Sequence, residues 1–389
     1  MEITDKKILL ISHNPLSRVN NNGKTLASIF EGVTKSNIYQ IYLNSDVPDY
    51  DNHCHYLQIN EKQILRSVLG TKNVCCQEIE AAPEKVCSAS VKLHSFGLHS
   101  KRLLREGIWK IPLWKSRLKK WLDGKKFDIV FLMAGDGLFA YDIYRFVLAN
   151  VPAKGCMFFT DDYIIGKTSS SPIAHLRQRI LKRKIRKTLP LVKNLYVISE
   201  EMKKTYNELF RVNSHVIRNF SVEKDTKPDK RKPDEQSDHL DMVYAGGLHY
   251  NRWKVLSDIA NALKVINDSG SRKCCLKIYS SQVISPEIIQ KINVDGAAEF
   301  CGAARASQIS EIYAGADVLL HVESFEKKAI ASTKYSFSTK IPEYLSAGKC
   351  VLAVGPEEVA SIQYLKTFAC VINDREKLLP VLEKLINDG

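Results

Sequence analysis

One local pattern repeats along this chain and limits what it can fold into. A short apolar run is followed by a turn holding Gly, Asn or Asp, and then by a segment with helical spacing. "KKILLIS" (Lys6 to Ser12) leads into "NNNGKTLASIFEGV", and "FDIVFLMAGDG" (Phe127 to Gly137) leads into "LFAYDIYRFVLAN". "GCMFFTDD" (Gly155 to Asp162) and "NLYVISEEMKKTYNELF" (Asn194 to Phe210) repeat the unit. Strands that are apolar on both faces and alternate with helices bury their surfaces in a parallel sheet covered on both sides.

The alternation breaks once. "SVEKDTKPDKRKPDEQSDH" (Ser221 to His239) is charged, punctuated by proline and nearly free of apolar residues, the composition of an exposed linker. It then restarts with "LDMVYAGGL", "CLKIYSS", "AEFCGAA", "ADVLLHVESF" and "CVLAVGP". The expected organisation is an α/β chain of two Rossmann-like, doubly wound parallel-sheet domains, residues 1–220 and 240–389, joined by a linker at 221–239. A length of 389 residues suits two cores better than one.

Composition narrows the setting. No run approaches the roughly 20 apolar residues of a membrane span, and "MEITDKKILLIS" lacks the order of a secretory signal, so a cytoplasmic location is expected. The ten cysteines are scattered, and the adjacent pairs Cys75-Cys76 and Cys274-Cys275 do not have zinc-site spacing; they read as reduced thiols. A formal net charge of +14 favours an anionic partner.

Ligands of open parallel sheets sit outside the carboxyl ends of the strands, which directs attention to a few turns. "GGLHYNRWK" sets Gly246 and Gly247 at a strand end before Arg252 and Lys254; glycine lets a backbone approach phosphate, and arginine grips it with two donors. The bland reading is a surface turn with solvated cations. "STKIPEYLSAGK" sets Ser338, Thr339 and Lys340 at a helix mouth, where backbone donors and a cation suit an anion, with Glu343 placed to accept from ribose hydroxyls. An ordinary capped helix explains Glu343 but not the cation on the unfavourable end. "GKT" at Gly23 to Thr25 is not a P-loop, because Arg18 stands where the earlier glycine is required.

Asp136, Asp161 and Asp162 lie at predicted strand ends in the first half, as base, acceptor-orienting groups or simple caps, and Glu323 is a strand-end acid in the second. His321 has no second ligand at metal spacing and reads as a core histidine. Two stretches are strongly basic. "LLREGIWKIPLWKSRLKKWLDGKK" interleaves Trp109, Trp114 and Trp121 with cations, and "HLRQRILKRKIRKTL" is cationic at helical spacing. They fit either an anionic membrane surface or helices with a solvated face. No nucleic-acid reading motif accompanies them.

With these motifs in view, the chain resembles GT-B-fold glycosyltransferases, specifically the retaining family-four (group 1) enzymes of bacterial surface polysaccharide synthesis. "GGLHYNRWK", "GADVLLHVESF" and "FSTKIPEYLSAGKCVLAVGP" carry the likeness, with "LYVISEEM" and "VIRNF" closing the first domain. The resemblance implies two domains facing across a cleft, the first binding acceptor and the second binding nucleotide-sugar. It implies that Arg252 and Lys340, with Gly246, Gly247, Ser338 and Thr339, hold the donor diphosphate and that Glu343 holds the ribose. Many members carry a second glutamate eight positions earlier, which here is Tyr335. Glu323 is the candidate to supply that carboxylate.

The expected function is transfer of a sugar from a nucleoside-diphosphate sugar, UDP-linked as a first guess, to a hydroxyl of a glycan or lipid-linked glycan. Retention and independence of metal and cofactor are expected, with Arg252 and Lys340 stabilising the leaving group. Asp161 orients the acceptor; were transfer inverting, Asp161 or Asp162 would be the base. Asn22, Gly23, Asp136 and Asp162 form the acceptor side. Contact with the inner face of the plasma membrane is possible on the basic stretches, and no nucleic-acid partner is expected. The alternatives are a sugar-nucleotide epimerase or hydrolase on the same fold, and a non-catalytic polyanion- or membrane-binding protein.

Overall fold

A computed structural model describes residues 3–18, 21–70, 75–82, 98–165, 171–218, 239–270 and 272–388. The chain divides into two compact units, Met1–Asn219 and Phe220–Gly389. Most of the charged stretch 221–239 lies outside the described residues; its last residue, His239, already belongs to a strand.

In the first unit the strands are β1 (Ile8–Ser12), β2 (Ile38–Tyr42), β3 (His55–Gln58), β4 (Gln77–Ile79), β5 (Ile129–Ala134), β6 (Lys154–Phe159), β7 (Asn194–Val197) and β8 (Ser214–Val216). They form one sheet in the order β4-β3-β2-β1-β5-β6-β7-β8. Every pairing is parallel except β3 with β4. That antiparallel edge departs from the all-parallel expectation, and its reason is local. β4 reads Gln-Glu-Ile, with no apolar run to bury. It is held from the side instead, Trp121 Nε1 donating to Glu78 at 2.7 Å and Arg117 to the Cys75 carbonyl at 3.1 Å.

The expected alternation explains the interior. Ile8, Leu9, Leu10 and Ile11 have no exposed surface, because β1 is central and covered on both faces. The helix Leu138–Asn150 turns Tyr141, Ile143, Tyr144 and Val147, each fully buried, onto the sheet. Each such aliphatic side chain contributes about 1.5–3 kcal/mol. Two of the three tryptophans of the first basic stretch are buried, and Trp121 is partly exposed. Trp109 and Trp114 are 4% and 2% exposed, and Trp109 stacks on Phe139 with ring centroids 4.4 Å apart. Their indoles are accommodated inside because each N–H finds an acceptor, the part-buried Glu61 for Trp109 and the Trp109 carbonyl for Trp114.

The second unit contains β9 (His239–Ala245), β10 (Lys273–Tyr279), β11 (Ala298–Gly302), β12 (Val318–Val322), β13 (Cys350–Val354) and β14 (Cys370–Ile372). Their order is β11-β10-β9-β12-β13-β14, all parallel. The winding therefore reverses between β9 and β12, and in the first unit between β1 and β5. Such switch points leave a crevice at the strand carboxyl ends. One core joins Met242, Leu276, Leu320 and Leu352 of the sheet to Leu256, Ile259 and Leu263 of the helix Arg252–Ser269. Leu382 and Ile386 of the helix Leu378–Asp388 complete it. Among the described residues no helix is long and apolar enough to cross a membrane.

Candidate functional site

The switch point of the second unit brings together residues far apart in the chain. β9 ends at Ala245, the glycine turn follows, and Arg252 opens the next helix; β12 ends at Val322 with Glu323 directly after it. Arg252 and Glu323 meet there as two planar forks. Nε donates to Oε2 at 3.2 Å, and Nη2 to Oε1 and Oε2 at 2.9 and 2.8 Å. The side chains are 14% and 5% exposed. Burial pushes the Glu323 carboxyl above the usual carboxylate range, and the guanidinium pulls against that. Gly355, after β13, is required behind it, since a Cβ there would lie 2.8 Å from the Glu323 Cβ.

Around this pair the surroundings are positive. His321, on β12, is 6% exposed and its Nε2 is 3.0 Å from Ser361 Oγ. Burial first, then the charges of Arg252 and Lys340, lower its pKa to about 3, so it is neutral near pH 7. His249, in the turn after β9, has its Nε2 3.0 Å from Arg252 Nη1. Its outer edge is exposed, yet partial desolvation and the same two cations lower its pKa to about 4. Lys340 thus acts on both histidines.

Lys340 itself occupies the N-cap position of the short helix Ile341–Ser346, with Pro342 in the first turn. Ser338 does not cap that helix, as its spacing suggested; Ser338 Oγ accepts from the Lys340 N–H at 3.4 Å. The helix is anchored by Tyr344, 1% exposed, whose hydroxyl faces the Ala245 N–H at the end of β9 at 3.5 Å. Glu343 is half-buried one residue before it. Gly246 and Gly247 both make room for side chains. A Cβ at 246 would lie 2.5 Å from the Tyr244 hydroxyl, and one at 247 would lie 2.5 Å from His249 Nδ1.

The first unit has its own polar mouth between β1 and β5. Asp136 lies beyond β5 and takes an ion pair from Arg177 Nη1 and from Arg102, each at 3.2 Å. Arg177 Nη2 also donates to the Asp136 carbonyl at 2.5 Å. Beyond β1, His13 Nδ1 is 3.4 Å from Arg105 Nη2, and Arg105 pairs with Glu61. Asn22 and Gly23 lie in the first turn of the helix Asn21–Ile29. Gly23 packs so closely that a Cβ would sit 2.4 Å from the Pro15 carbonyl oxygen and 2.7 Å from the Ser17 Cβ.

No family model and no curated protein sequence matches the chain. Solved structures do match it. The E. coli trehalose-6-phosphate structure bound with UDP-2-fluoro glucose aligns at TM-score 0.60 and 10% identity, over 98% of this chain and 92% of that one. The apo form of the lipopolysaccharide outer core galactosyltransferase WaaB aligns at 0.58 and 11%, over 98% and 90%. WaaG, a glycosyltransferase involved in lipopolysaccharide biosynthesis, aligns at 0.51 and 15%, over 97% and 90%.

The fold is GT-B. In this GT-B chain the second-unit residues singled out by sequence converge around β9 and β12, whereas the aspartates of the first unit separate by role. Asp162 is 4% exposed, and its carboxylate accepts from the Ile164 and Ile165 N–H groups at 2.9 and 3.0 Å and from the Tyr206 hydroxyl at 2.9 Å. That carboxylate holds a turn. Asp161 is half-exposed beside it, and one of its oxygens accepts from the Asp162 N–H at 2.9 Å.

Asp162→Ala leaves three donors without their acceptor and is expected to cost about 2–4 kcal/mol of stability. Urea unfolding monitors this, and a loss under about 1 kcal/mol would show that the turn does not depend on the carboxylate.

Sequence reasoning missed His13, His249, Gln282 and Ser361. The signal for the two turn histidines was position alone: His13 directly follows the end of β1 in "ISHNP", and His249 lies in the turn after β9 in "GGLHY". Gln282 and Ser361 carried no signal, since what matters in each is a partner distant in sequence.

Proposed function

We propose that the protein is a glycosyltransferase that moves a sugar from a nucleoside-diphosphate sugar to a hydroxyl of a glycan or lipid-linked glycan. The observation that carries this reading is the convergence of Arg252 and the charge of Lys340 at the β9/β12 switch point of a GT-B fold. Two fixed cations in a partly desolvated corner suit a diphosphate that gains charge as the glycosidic bond breaks. Arg252 offers its Nη1 edge, which Glu323 does not occupy, and Lys340 adds its charge, and metal-independent transfer is part of the proposal. Glu343 takes the ribose hydroxyls. Retention follows if a phosphate oxygen accepts the acceptor's proton on the same face, with Asp161 orienting the acceptor. WaaB and WaaG act in lipopolysaccharide synthesis, and a surface-polysaccharide acceptor is proposed here by that likeness.

Thermal stabilisation by UDP, GDP, ADP, CDP and TDP tests the donor half. One nucleotide at 100 times its Kd is expected to add about 2.7 kcal/mol. No shift with any of the five at millimolar levels would remove the reading, and the anomer of a product, read by NMR, decides retention.

Peripheral contact with an anionic membrane belongs to the same proposal. Its support is a set of exposed apolar side chains, Val68 (52%), Leu69 (74%) and Leu104 (70%), on the packed helices Glu61–Val68 and Leu98–Ile108 and their ends, near Lys62 and Arg66. Sedimentation with phosphatidylglycerol vesicles at low salt is expected. Its absence sinks the membrane contact without touching the transferase reading.

A further inference from the structure

The turn after β9 holds a hydrogen-bonding conflict. Gln282 Oε1 accepts from the Leu248 backbone N–H at 2.7 Å, which fixes the amide with its nitrogen toward His249; Gln282 Nε2 lies 2.9 Å from His249 Nδ1. An amide nitrogen only donates, so this contact is a hydrogen bond when Nδ1 is the accepting nitrogen of the ring. A neutral imidazole then carries its proton on Nε2. That N–H faces Arg252 Nη1 at 3.0 Å, and a guanidinium also only donates. Two donors point at one another, while the other edge of Arg252 is occupied by Glu323. Neither the Nδ1–H tautomer nor protonation removes the conflict, because Nδ1–H would then oppose the Gln282 amide, and the charges acting on the ring, Arg252 and Lys340, are both positive.

The ring is held in this pose by shape as well. It folds back over Gly247, where a Cβ would lie 2.5 Å from Nδ1 and 3.2 Å from Gln282 Nε2. The residue is exposed on its outer side, so a ligand can reach the edge where the two donors meet. Two donors converging at an exposed edge beside cationic groups suit an anionic oxygen.

We propose that His249 is a diphosphate ligand: its Nε2–H, set by Gln282, and Arg252 Nη1 together donate to one phosphoryl oxygen of the bound nucleotide. This rests on the donor-binding reading above and adds to it a neutral donor that Gln282 orients. No proton is transferred and no bond is made. The imidazole stabilises the leaving oxygen by a hydrogen bond that strengthens as charge develops on it.

The test is calorimetric titration of the full chain with inorganic diphosphate and with the five nucleoside diphosphates, in the wild type and in His249→Ala. Loss of one hydrogen bond to a charged group weakens both kinds of ligand by about 10- to 100-fold. An unchanged affinity for diphosphate, or no diphosphate binding by the wild type, overturns the role of His249. Failure of every nucleoside diphosphate to bind the wild type, with diphosphate still bound and sensitive to His249→Ala, instead overturns the donor reading and leaves the anion site standing. A second measurement needs no variant. The ¹⁵N shifts of the His249 ring in the free protein are expected to show the Nε2–H tautomer, and an Nδ1–H tautomer overturns the proposal.

Discussion

Arg252→Met is expected to destabilise the second unit by about 3–5 kcal/mol at pH 8, because it strands Glu323 as a buried carboxylate without its partner. The pair is well placed for such an effect, with 14% and 5% of the two side chains exposed and three hydrogen bonds joining them. The loss depends on pH with a definite sign. Burial already raises the Glu323 pKa in the folded state, and the guanidinium is the main influence holding it down. Its removal raises the folded pKa further. A carboxyl with a raised folded pKa contributes its full stability below the unfolded value, about 4.3, and loses it as pH climbs through the folded value. The deficit of Arg252→Met is therefore smaller at pH 5 than at pH 8. Arg252→Met combined with Glu323→Leu is expected to recover most of the loss, since removing both charges removes the stranded one. Urea midpoints at the two pH values measure this. A deficit below about 1 kcal/mol, or one equal at both pH values, would mean that the pair is not a closed buried unit.

Lys340→Ala is expected to act on turnover rather than stability. On the proposed transferase reading Lys340 is one of two cations set against a developing diphosphate charge, and its removal should lower kcat/KM for sugar transfer by about 10²–10³-fold. Two electrostatic costs offset what the folded chain gains from the contacts of this cation. It stands at the N-cap position of a helix, where a positive charge is unfavourable by about 0.3–1 kcal/mol, and it raises the local potential at His249 and His321. Unfolding midpoints should therefore stay level or rise, and the His249 pKa should move up from about 4, which histidine NMR titration can follow. Turnover within threefold of the wild type would remove Lys340 from the transfer chemistry.

The elements themselves were legible along the chain wherever an apolar run was buried on both faces. "KKILLIS", "FDIVFLMAGDG" and "LDMVYAGGL" became β1, β5 and β9, and "LFAYDIYRFVLAN" is a helix from its first residue to its last. The segments missed are β2 and β3, whose short runs carry Gln40, His55 and Gln58, and those whose burial is partial or supplied from elsewhere. β4 is three residues of mostly polar character paired only along one edge, and β8 is Ser-His-Val with one buried residue. The sequence left Trp109 and Trp114 open between a membrane surface and a packed helix, because their lysine and arginine neighbours dominate the local pattern, and burial decides for the packed helix. A helix buries one stripe and solvates the other, and a one-dimensional reading of mixed residues does not tell which stripe is which.

The site divides in the same way. Sequence by itself determined that turns with Gly246, Gly247 and Arg252, and with Lys340 and Glu343, stand at strand ends and helix starts, because local spacing sets element boundaries. Tertiary structure alone decided what those residues touch. The partner of Arg252 is Glu323, 71 positions away, and that of His249 is Gln282, 33 positions away. Asp162 faces inward because Tyr206, 44 positions on, reaches its carboxylate. Short-range periodicity dictates which backbone segments pair and bury. The direction and hydrogen bonds of a polar side chain depend instead on which strand end the sheet order sets beside it, and in this chain the reversal between β9 and β12 makes that choice.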